Sequence, residues 1–111
     1  ELFIDLTDDN GLWKRVLQEG SGDPPSSNST VVVNYKGAFE NEAIFEENSN
    51  FSFKFGVGDV IKGFEIRIKS MLKGEISMLV VRHDYGYGKQ EYYSIPPFST
   101  LMYYVELIDI Q

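Results

Sequence analysis

The chain has 111 residues, 42% of them hydrophobic and 14% aromatic, a composition that predicts one globular domain with one packed core and excludes disorder. Its 10 basic and 17 acidic side chains give a formal net charge of -7, which repels phosphate backbones and argues against nucleic acid as a direct partner. No apolar run approaches the roughly twenty residues that span a bilayer, so we expect no membrane association.

The chain begins with Glu1 and not with a methionine, which indicates a domain excised from a longer protein. We expect residues 1–10 to be an N-terminal extension and residues 11–111 to form the domain. The sequence contains no cysteine, which is compatible with a reducing compartment and favours the cytoplasm.

The first part of the domain predicts two strands separated by a loop. Leu12 to Leu17 combines Leu, Trp and Val with basic residues and runs into a Gly/Ser turn, which indicates a strand. Residues 23–28 are polar and proline-rich and predict a loop. Thr30 to Phe39 is rich in β-branched residues and predicts a second, longer strand.

Two short strands are predicted next, over Ala43 to Glu46 and over Phe51 to Phe55. In the second, Phe51, Phe53 and Phe55 alternate with polar residues, a period of two that sends all three rings to one face. An aromatic stripe on a strand usually belongs to the core, so we expect at least two of these rings to be structural. Phe51 is the one we expect in a pocket.

From Val60 onward the apolar period becomes that of a helix. Apolar residues recur at i, i+4, i+8 and i+11: Val60, Phe64, Ile68 and Met71. Charged residues fall largely off this stripe: Lys62, Glu65, Arg67 and Lys69. We expect Asp59 to cap the helix at its N-terminus and Lys73-Gly74 to end it.

Two further strands, Glu75 to Arg82 and Thr100 to Ile110, flank a long Gly/Tyr/Pro segment. The order of strands, one helix and strands predicts an α+β domain with the helix laid across an antiparallel sheet. Four tyrosines within nine residues of the connecting segment indicate either a solvent-facing turn or an exposed protein-contact surface: Tyr85, Tyr87, Tyr92 and Tyr93.

Other chemistries lack the residues they require. His83 is the only histidine, with no cysteine or second histidine near it, so we expect a surface residue and no metal. The acidic stretches 5–9 and 40–47 lack the ligand spacing of a calcium loop and predict solvated surface. Ser99 and Thr100 have no general base nearby in sequence, which gives hydrolysis no support. We expect no cofactor.

Seven segments taken in order resemble the FKBP family of immunophilins, and the resemblance runs from Gly11 to Ile110. The segments are Val33-Asn34-Tyr35-Lys36-Gly37, Phe45-Glu46, Phe51-Ser52-Phe53, Gly58-Asp59-Val60-Ile61-Lys62-Gly63-Phe64-Glu65, Met71-Leu72-Lys73-Gly74-Glu75, Tyr85-Gly86-Tyr87-Gly88 and Ile95-Pro96-Pro97-Phe98-Ser99-Thr100-Leu101. The resemblance implies a twisted antiparallel β-sheet wrapped around one short α-helix, and a shallow apolar pocket.

The resemblance also implies which residues act. It places the catalytic roles on Tyr35, Phe45, Glu46, Phe64 and Tyr87. It places substrate or ligand contacts on Phe51, Asp59, Val60, Ile61, Ile95 and Tyr103. Phe64, the implied floor, stands where the family usually has Trp, and Glu46 stands where it has Asp. The segment from Phe45 to Phe51 is shortened and lacks the usual supporting Arg, and the flap between Gly88 and Pro96 is slightly shortened.

Two functions of different class follow from this resemblance. The first is peptidyl-prolyl cis-trans isomerisation of proline-containing peptides or protein clients, weakened by the departures at Phe64 and Glu46. The second is a catalytically inactive interaction module of a chaperone-linked immunophilin, with chaperone contacts made through flanking regions. A macrolide ligand is compatible with either.

Overall fold

A computed structural model describes residues 3–89, 91 and 94–111 of the chain. Within these residues six strands form one antiparallel sheet: β1 Ile4–Asp5, β2 Leu12–Gln18, β3 Thr30–Phe39, β4 Ile44–Lys54, β5 Ile76–Val81 and β6 Leu101–Ile110. The α-helix in the described part, α1, spans Lys62–Ile68, and a 3-10 turn spans His83–Tyr85. The predicted α+β class is confirmed.

The strand order in the sheet is β1-β2-β5-β6-β3-β4, so β6 and β5 lie in the middle and β4 forms one edge. Side chains alternate between a buried face and a partly exposed face along β5 and β6. We call the face that packs against α1 the inner face and the opposite one the outer face. The core lies between α1 and the inner face, and α1 contributes Phe64 and Ile68 to it.

The first and last predicted strands agree with the structure to within a residue or two, and Thr30–Phe39 agrees at both ends. The prediction of two short strands between residues 43 and 55 was wrong, because β4 is continuous over Ile44–Lys54. An edge strand bearing polar side chains needs no apolar alternation to pair with its neighbour. At the irregular register near Tyr35, the Asn50 N–H donates to Asn34 Oδ1 at 2.8 Å, which keeps the polar middle of β4 attached to β3.

Both predicted ends of the helix were also wrong. Ile61 occupies the N-cap position without a side-chain cap, and Asp59 Oδ2 instead accepts a hydrogen bond from the Lys54 N–H at 3.2 Å. The helix ends at Ile68, before Gly74. Gly74 has a φ of +89° and serves a later turn, where its N–H donates to the Leu107 carbonyl at 2.8 Å.

The N-terminal residues join the sheet as well. β1 pairs with β2, and the Leu6 N–H donates to the Leu12 carbonyl at 2.8 Å. Between these strands Asp5 accepts backbone hydrogen bonds from Thr7, Asp8 and Asn10, so this carboxylate shapes the turn. The acidic stretch 5–9 is therefore part of an ordered connection to β2.

A buried ionic network joins α1 to β5. Arg67 is 1% exposed and Glu75 is 4% exposed. The Arg67 guanidinium contacts the Glu75 carboxylate and donates to Ser77 Oγ at 3.1 Å and to Ser70 Oγ at 3.0 Å. Burial lowers the pKa of Arg67 to about 10, which still leaves the side chain charged at neutral pH. The expectation that Arg67 lies largely off the buried stripe of the helix was wrong.

None of the helices in the described ranges combines the length and the apolar character that a membrane crossing requires.

Candidate functional site

A cleft of about 210 Å³ opens between the start of α1 and the inner face of the sheet near β3 and β4. Nine of the eleven predicted site residues line it, together with Asn48: Tyr35, Glu46, Asn48, Phe51, Asp59, Val60, Ile61, Phe64, Tyr87 and Tyr103. Strand alternation and the helix start bring these residues together from distant parts of the chain.

Aromatic rings form the base of the cleft. The Phe64 ring lies edge-on to Tyr103, with centroids 4.8 Å apart at 78°, and to Tyr35, with centroids 5.5 Å apart at 90°. Phe51 meets Tyr35 in the same manner, at 5.5 Å and 75°. Edge-to-face contacts of this kind fix the orientation of each ring beyond what apolar burial alone achieves. The base of the cleft is therefore rigid and apolar.

Two of the three alternating phenylalanines are structural and the third lines the cleft, as expected from the sequence. Phe53 and Phe55 are 6% and 7% exposed and belong to the core, while Phe51 is only partly buried and lines the cleft. The Phe51 and Phe53 rings are stacked, with centroids 5.8 Å apart.

Three polar side chains meet at one side of the cleft. The Tyr35 hydroxyl donates to Glu46 Oε2 at 2.7 Å, and it accepts from Asn48 Nδ2 at 2.9 Å. Asn48 was absent from the predicted site. It lies two residues after Glu46 and therefore on the same side of β4, a signal that a continuous strand in this region would have supplied. A neutral amide thus helps to hold the tyrosine hydroxyl in place.

Burial controls the ionisation of the tyrosines in the cleft. It raises the pKa of Tyr35 to about 12, while the hydrogen bond from Asn48 opposes this shift. It also raises the pKa of Tyr103, with Tyr87 and Glu46 adding to the effect. Both hydroxyls therefore stay protonated at neutral pH and are able to donate hydrogen bonds.

We expect the fold to lose stability as pH rises from 10 towards 12. Tyr35 ionises at its ordinary pKa of 10.0 in the unfolded chain and at about 12 in the fold, so the folded state binds more protons in this window. The stabilisation is complete below pH 10 and disappears as pH approaches 12. Urea unfolding at a series of alkaline pH values measures it, and Tyr35→Phe should reduce the slope. Ultraviolet titration in which all 7 tyrosines ionise together near pH 10 would contradict this expectation.

The segment after the 3-10 turn brings Tyr87 to the cleft. Tyr87 is hydrogen-bonded to the Tyr103 side chain, which links the β5–β6 connection to the base of the cleft. Tyr85 has a different environment, because its hydroxyl donates to Asp9 Oδ2 at 2.7 Å and its ring lies 5.1 Å from Lys62 Nζ. Of the four tyrosines in this connection, Tyr92 and Tyr93 lie outside the described residues.

Two predicted site residues do not line the cleft. Phe45 packs its ring against Phe39, with centroids 4.9 Å apart, and edge-on against Tyr103 at 6.0 Å. Ile95 is 4% exposed and belongs to the core cluster. The structure thus places Phe45 behind the base of the cleft and Ile95 in the hydrophobic interior.

Gly37 permits the close approach of Phe45 and Tyr103 over β3. A Cβ atom at residue 37 would lie 2.8 Å from Phe45 Cζ and 2.8 Å from Tyr103 Cε1. We expect Gly37→Ala to lower the free energy of unfolding by about 1–3 kcal/mol, because both rings must shift within a packed interior. Thermal unfolding measures this loss, and adding Phe45→Leu should recover part of it. An unchanged melting temperature in Gly37→Ala would show that the rings move freely.

The side chain of His83 packs against an aromatic ring. Its imidazole meets Phe98 edge-on, with centroids 5.0 Å apart. In the part of the chain that the structure describes, no group of three or more His, Cys, Asp or Glu side chains is arranged to hold a metal ion.

The chain is similar to known proteins over most of its length. The family model described as FKBP-type peptidyl-prolyl cis-trans isomerase matches residues 22–108. The chain is 38% identical over 103 residues to FK506-binding protein 1 of Dictyostelium discoideum, an alignment that covers 88% of this chain and 96% of that protein. It is 37% identical over 114 residues to peptidyl-prolyl cis-trans isomerase FKBP20-1 of Arabidopsis thaliana, which covers 95% of this chain and 60% of that protein. FK506-binding protein 59 of Drosophila melanogaster is 35% identical over 111 residues, an alignment that covers 95% of this chain and 25% of that protein.

Proposed function

The chain belongs to the family of FKBP-type peptidyl-prolyl cis-trans isomerases, and from this membership we propose that its cleft binds proline-containing peptides and isomerises the X-Pro bond at a low rate. The observation that carries the proposal is the cleft itself, in which Tyr35, Phe64 and Tyr103 form a rigid aromatic base. The hydroxyls of Tyr35 and Tyr103 in this base are protonated.

Such a cleft suits this reaction because the reaction needs no nucleophile. Rotation about the X-Pro amide faces a barrier of about 18–20 kcal/mol, which arises from resonance across the planar C–N bond. The planar, charge-separated amide loses more solvation in apolar surroundings than the twisted form does. An aromatic cleft that binds the twisted form more tightly therefore lowers the barrier.

We assign different substrate contacts to different residues of the cleft. We assign the proline ring to the surface of Phe64, with Val60 and Phe51 beside it. The Ile61 N–H precedes the helix and has no acceptor among residues 3–89, 91 and 94–111, so we assign it to a substrate carbonyl. The Tyr87 hydroxyl would donate to a second carbonyl.

Glu46 acts through Tyr35 in this proposal. The Tyr35 hydroxyl donates to Glu46 and accepts from Asn48, so the carboxylate is oriented by a neutral pair. A charged partner would make a stronger hydrogen bond than the Asn48 amide does. An acid held loosely by about an ångström loses on the order of a hundredfold in rate, and this is why we propose a low rate.

Protease-coupled or exchange-NMR isomerisation of a short X-Pro peptide tests the proposal. We expect a rate above background, and we expect Tyr87→Phe to lower kcat/KM by up to about tenfold, the value of one hydrogen bond. Tyr85→Phe is the matched control, because the Tyr85 hydroxyl donates to Asp9 and not into the cleft. A parent rate equal to background would exclude the enzyme.

A non-catalytic interaction module is the second candidate function. It is favoured by the hydrogen bonds among Tyr35, Glu46 and Asn48, which occupy polar groups that a substrate would otherwise meet. In that case the cleft binds peptides without accelerating their isomerisation, and chaperone contacts are made by flanking regions. Peptide affinity that survives with no measurable rate identifies this function. The absence of cysteine supports a cytoplasmic setting for either.

We extend the proposal to macrolides, because the Dictyostelium relative is named for binding FK506. The ligand would lie over Phe64 and contact Val60, Ile61 and Tyr87. Isothermal titration with FK506 tests this contact, and the absence of measurable heat and of chemical shift changes would exclude it.

A further inference from the structure

A second and larger cavity, of about 570 Å³, lies on the outer face of the sheet. We call it the outer-sheet groove. Alternate residues of β3 and β6 line it, and the register sets Met78, Tyr104 and Lys36 side by side in one row. The next row contains Met102, Ala38 and Ile44. These positions alternate with Tyr35 and Tyr103, whose side chains enter the core, so the groove opens away from α1.

The floor of the groove is apolar and accessible. Ile44 is 55% exposed and Tyr104 is 40% exposed, although both lie on a paired strand of the sheet. Met78 and Met102 lie beside them, and methionine side chains adapt to partners of irregular shape. A cavity of this size that combines an apolar floor with a few polar groups has the features of a binding site.

Acidic side chains surround this floor. Glu42, Glu47 and Glu106 line the groove, and Lys36 is the basic residue among its lining side chains. Three negative charges against one positive charge leave a net charge of -2, and Lys36 is already engaged with Glu47 at 3.9 Å. The field of the groove therefore attracts a cation.

The negative charge of the groove also indicates which kind of molecule it binds. A second copy of this chain would bring another net charge of -7 to the interface, which disfavours self-association. Anionic lipids and phosphate backbones are repelled for the same reason. A basic polypeptide matches both the acidic side chains and the apolar floor.

We propose that the outer-sheet groove binds an extended protein segment in which aliphatic residues alternate with lysine or arginine. The aliphatic side chains pack on Met78, Met102 and Tyr104, and the basic side chains pair with Glu42, Glu47 and Glu106. This site is separate from the inner cleft and does not depend on isomerase activity. Tyr35, Asn48 and Tyr103 border both cavities, so a bound segment contacts the strands that carry the base of the cleft.

Amide chemical shift mapping tests the proposal with a short, proline-free peptide of alternating lysine and leucine. Without proline the peptide does not act as a substrate for the inner cleft. We expect saturable shifts centred on Met78, Met102 and Tyr104, and weaker binding as ionic strength rises. The matched peptide of alternating glutamate and leucine should cause no such shifts.

Charge reversal provides the second measurement. Glu47→Lys should weaken binding of the lysine–leucine peptide by about fivefold, since it removes one attraction and adds one repulsion at a partly solvated site. Asp23→Lys is the matched control, because Asp23 is exposed, carries the same charge and lies in the loop before β3, outside the groove. It should leave the affinity unchanged.

Several outcomes would overturn the proposal: equal binding of the two peptides, equal effects of the two charge reversals, shifts centred on Phe64 and Ile61, or a dimer in sedimentation that closes the groove. A loss of isomerase activity would not overturn the proposal. The lysine–leucine peptide is not a substrate of the inner cleft, and its binding is measured by chemical shifts and not by isomerisation.

Discussion

Replacing Arg67 with methionine should lower the free energy of unfolding by about 3–5 kcal/mol, one of the largest effects on stability that we expect from a single substitution in this chain. The guanidinium is the charged partner of Glu75, which is 4% exposed. Without it the carboxylate is left buried, with Ser77 Oγ at 3.0 Å and the Leu72 N–H at 3.2 Å as its remaining donors among the residues that the structure describes. Urea unfolding followed by tryptophan fluorescence measures the loss.

The double variant Arg67→Met/Glu75→Leu separates the value of the ion pair from the cost of breaking it. Replacing both charges with apolar groups of similar size removes two desolvation penalties, so the double variant should recover most of the lost stability. The buried Arg67 Nε has no hydrogen-bond partner among the described residues, and this further reduces what the native pair contributes. Additive losses in the double variant would show that the network as a whole stabilises the fold.

Arg67 also shows why part of the fold could not be predicted from the sequence. By spacing it falls on the buried face of the helix, three residues after Phe64 and four before Met71. Its charge nevertheless indicated an exposed position, because an arginine is rarely buried unless it is paired. The partner, Glu75, lies beyond the end of the helix, and no local pattern joins the two residues. The strands posed less difficulty: Thr30–Phe39 and Leu101–Ile110 alternate clearly because one face of each is buried.

Site residues in segments that resemble the family could be predicted from the sequence. A residue whose contact depends on the register between two strands could not. Tyr35, Phe64 and Tyr87 lie in segments that resemble the family, and the structure brings all three to one cleft. Asn48 lies in a polar stretch of an edge strand, where composition gives no sign of pairing. The register of β4 against β3 sets Asn48 opposite Tyr35 and brings its amide into contact with the hydroxyl.

The base of the cleft and the core of the domain share the same rings. Phe64, Tyr35 and Tyr103 are 4%, 8% and 2% exposed, so each belongs to the packed interior as well as to the cleft. A change at any of them alters stability and binding together. Tests of function at this base therefore need a control that lowers stability equally without touching the cleft.

We expect Phe64→Leu to lower the isomerisation rate by about tenfold, and Phe64→Ala to bring it to background. Leucine fills much of the space but loses two edge-to-face contacts, each worth about 0.5–1.5 kcal/mol, which orient Tyr35 and Tyr103. Alanine also leaves a cavity that costs about 3–5 kcal/mol, a large part of the roughly 5–15 kcal/mol that stabilises a domain. The rate on an X-Pro peptide and the free energy of unfolding should be measured on the same samples.

Phe55→Leu provides the matched control for this prediction. Phe55 is 7% exposed, close to the 4% of Phe64, but it does not line the cleft. Its substitution should cost a similar amount of stability and leave kcat/KM unchanged. Equal losses of rate in the two leucine variants would mean that general stability, and not the ring at the base of the cleft, sets the activity. If the parent protein lacks isomerase activity, the same pair of variants applies to its affinity for a proline peptide, where Phe64→Leu alone should weaken binding.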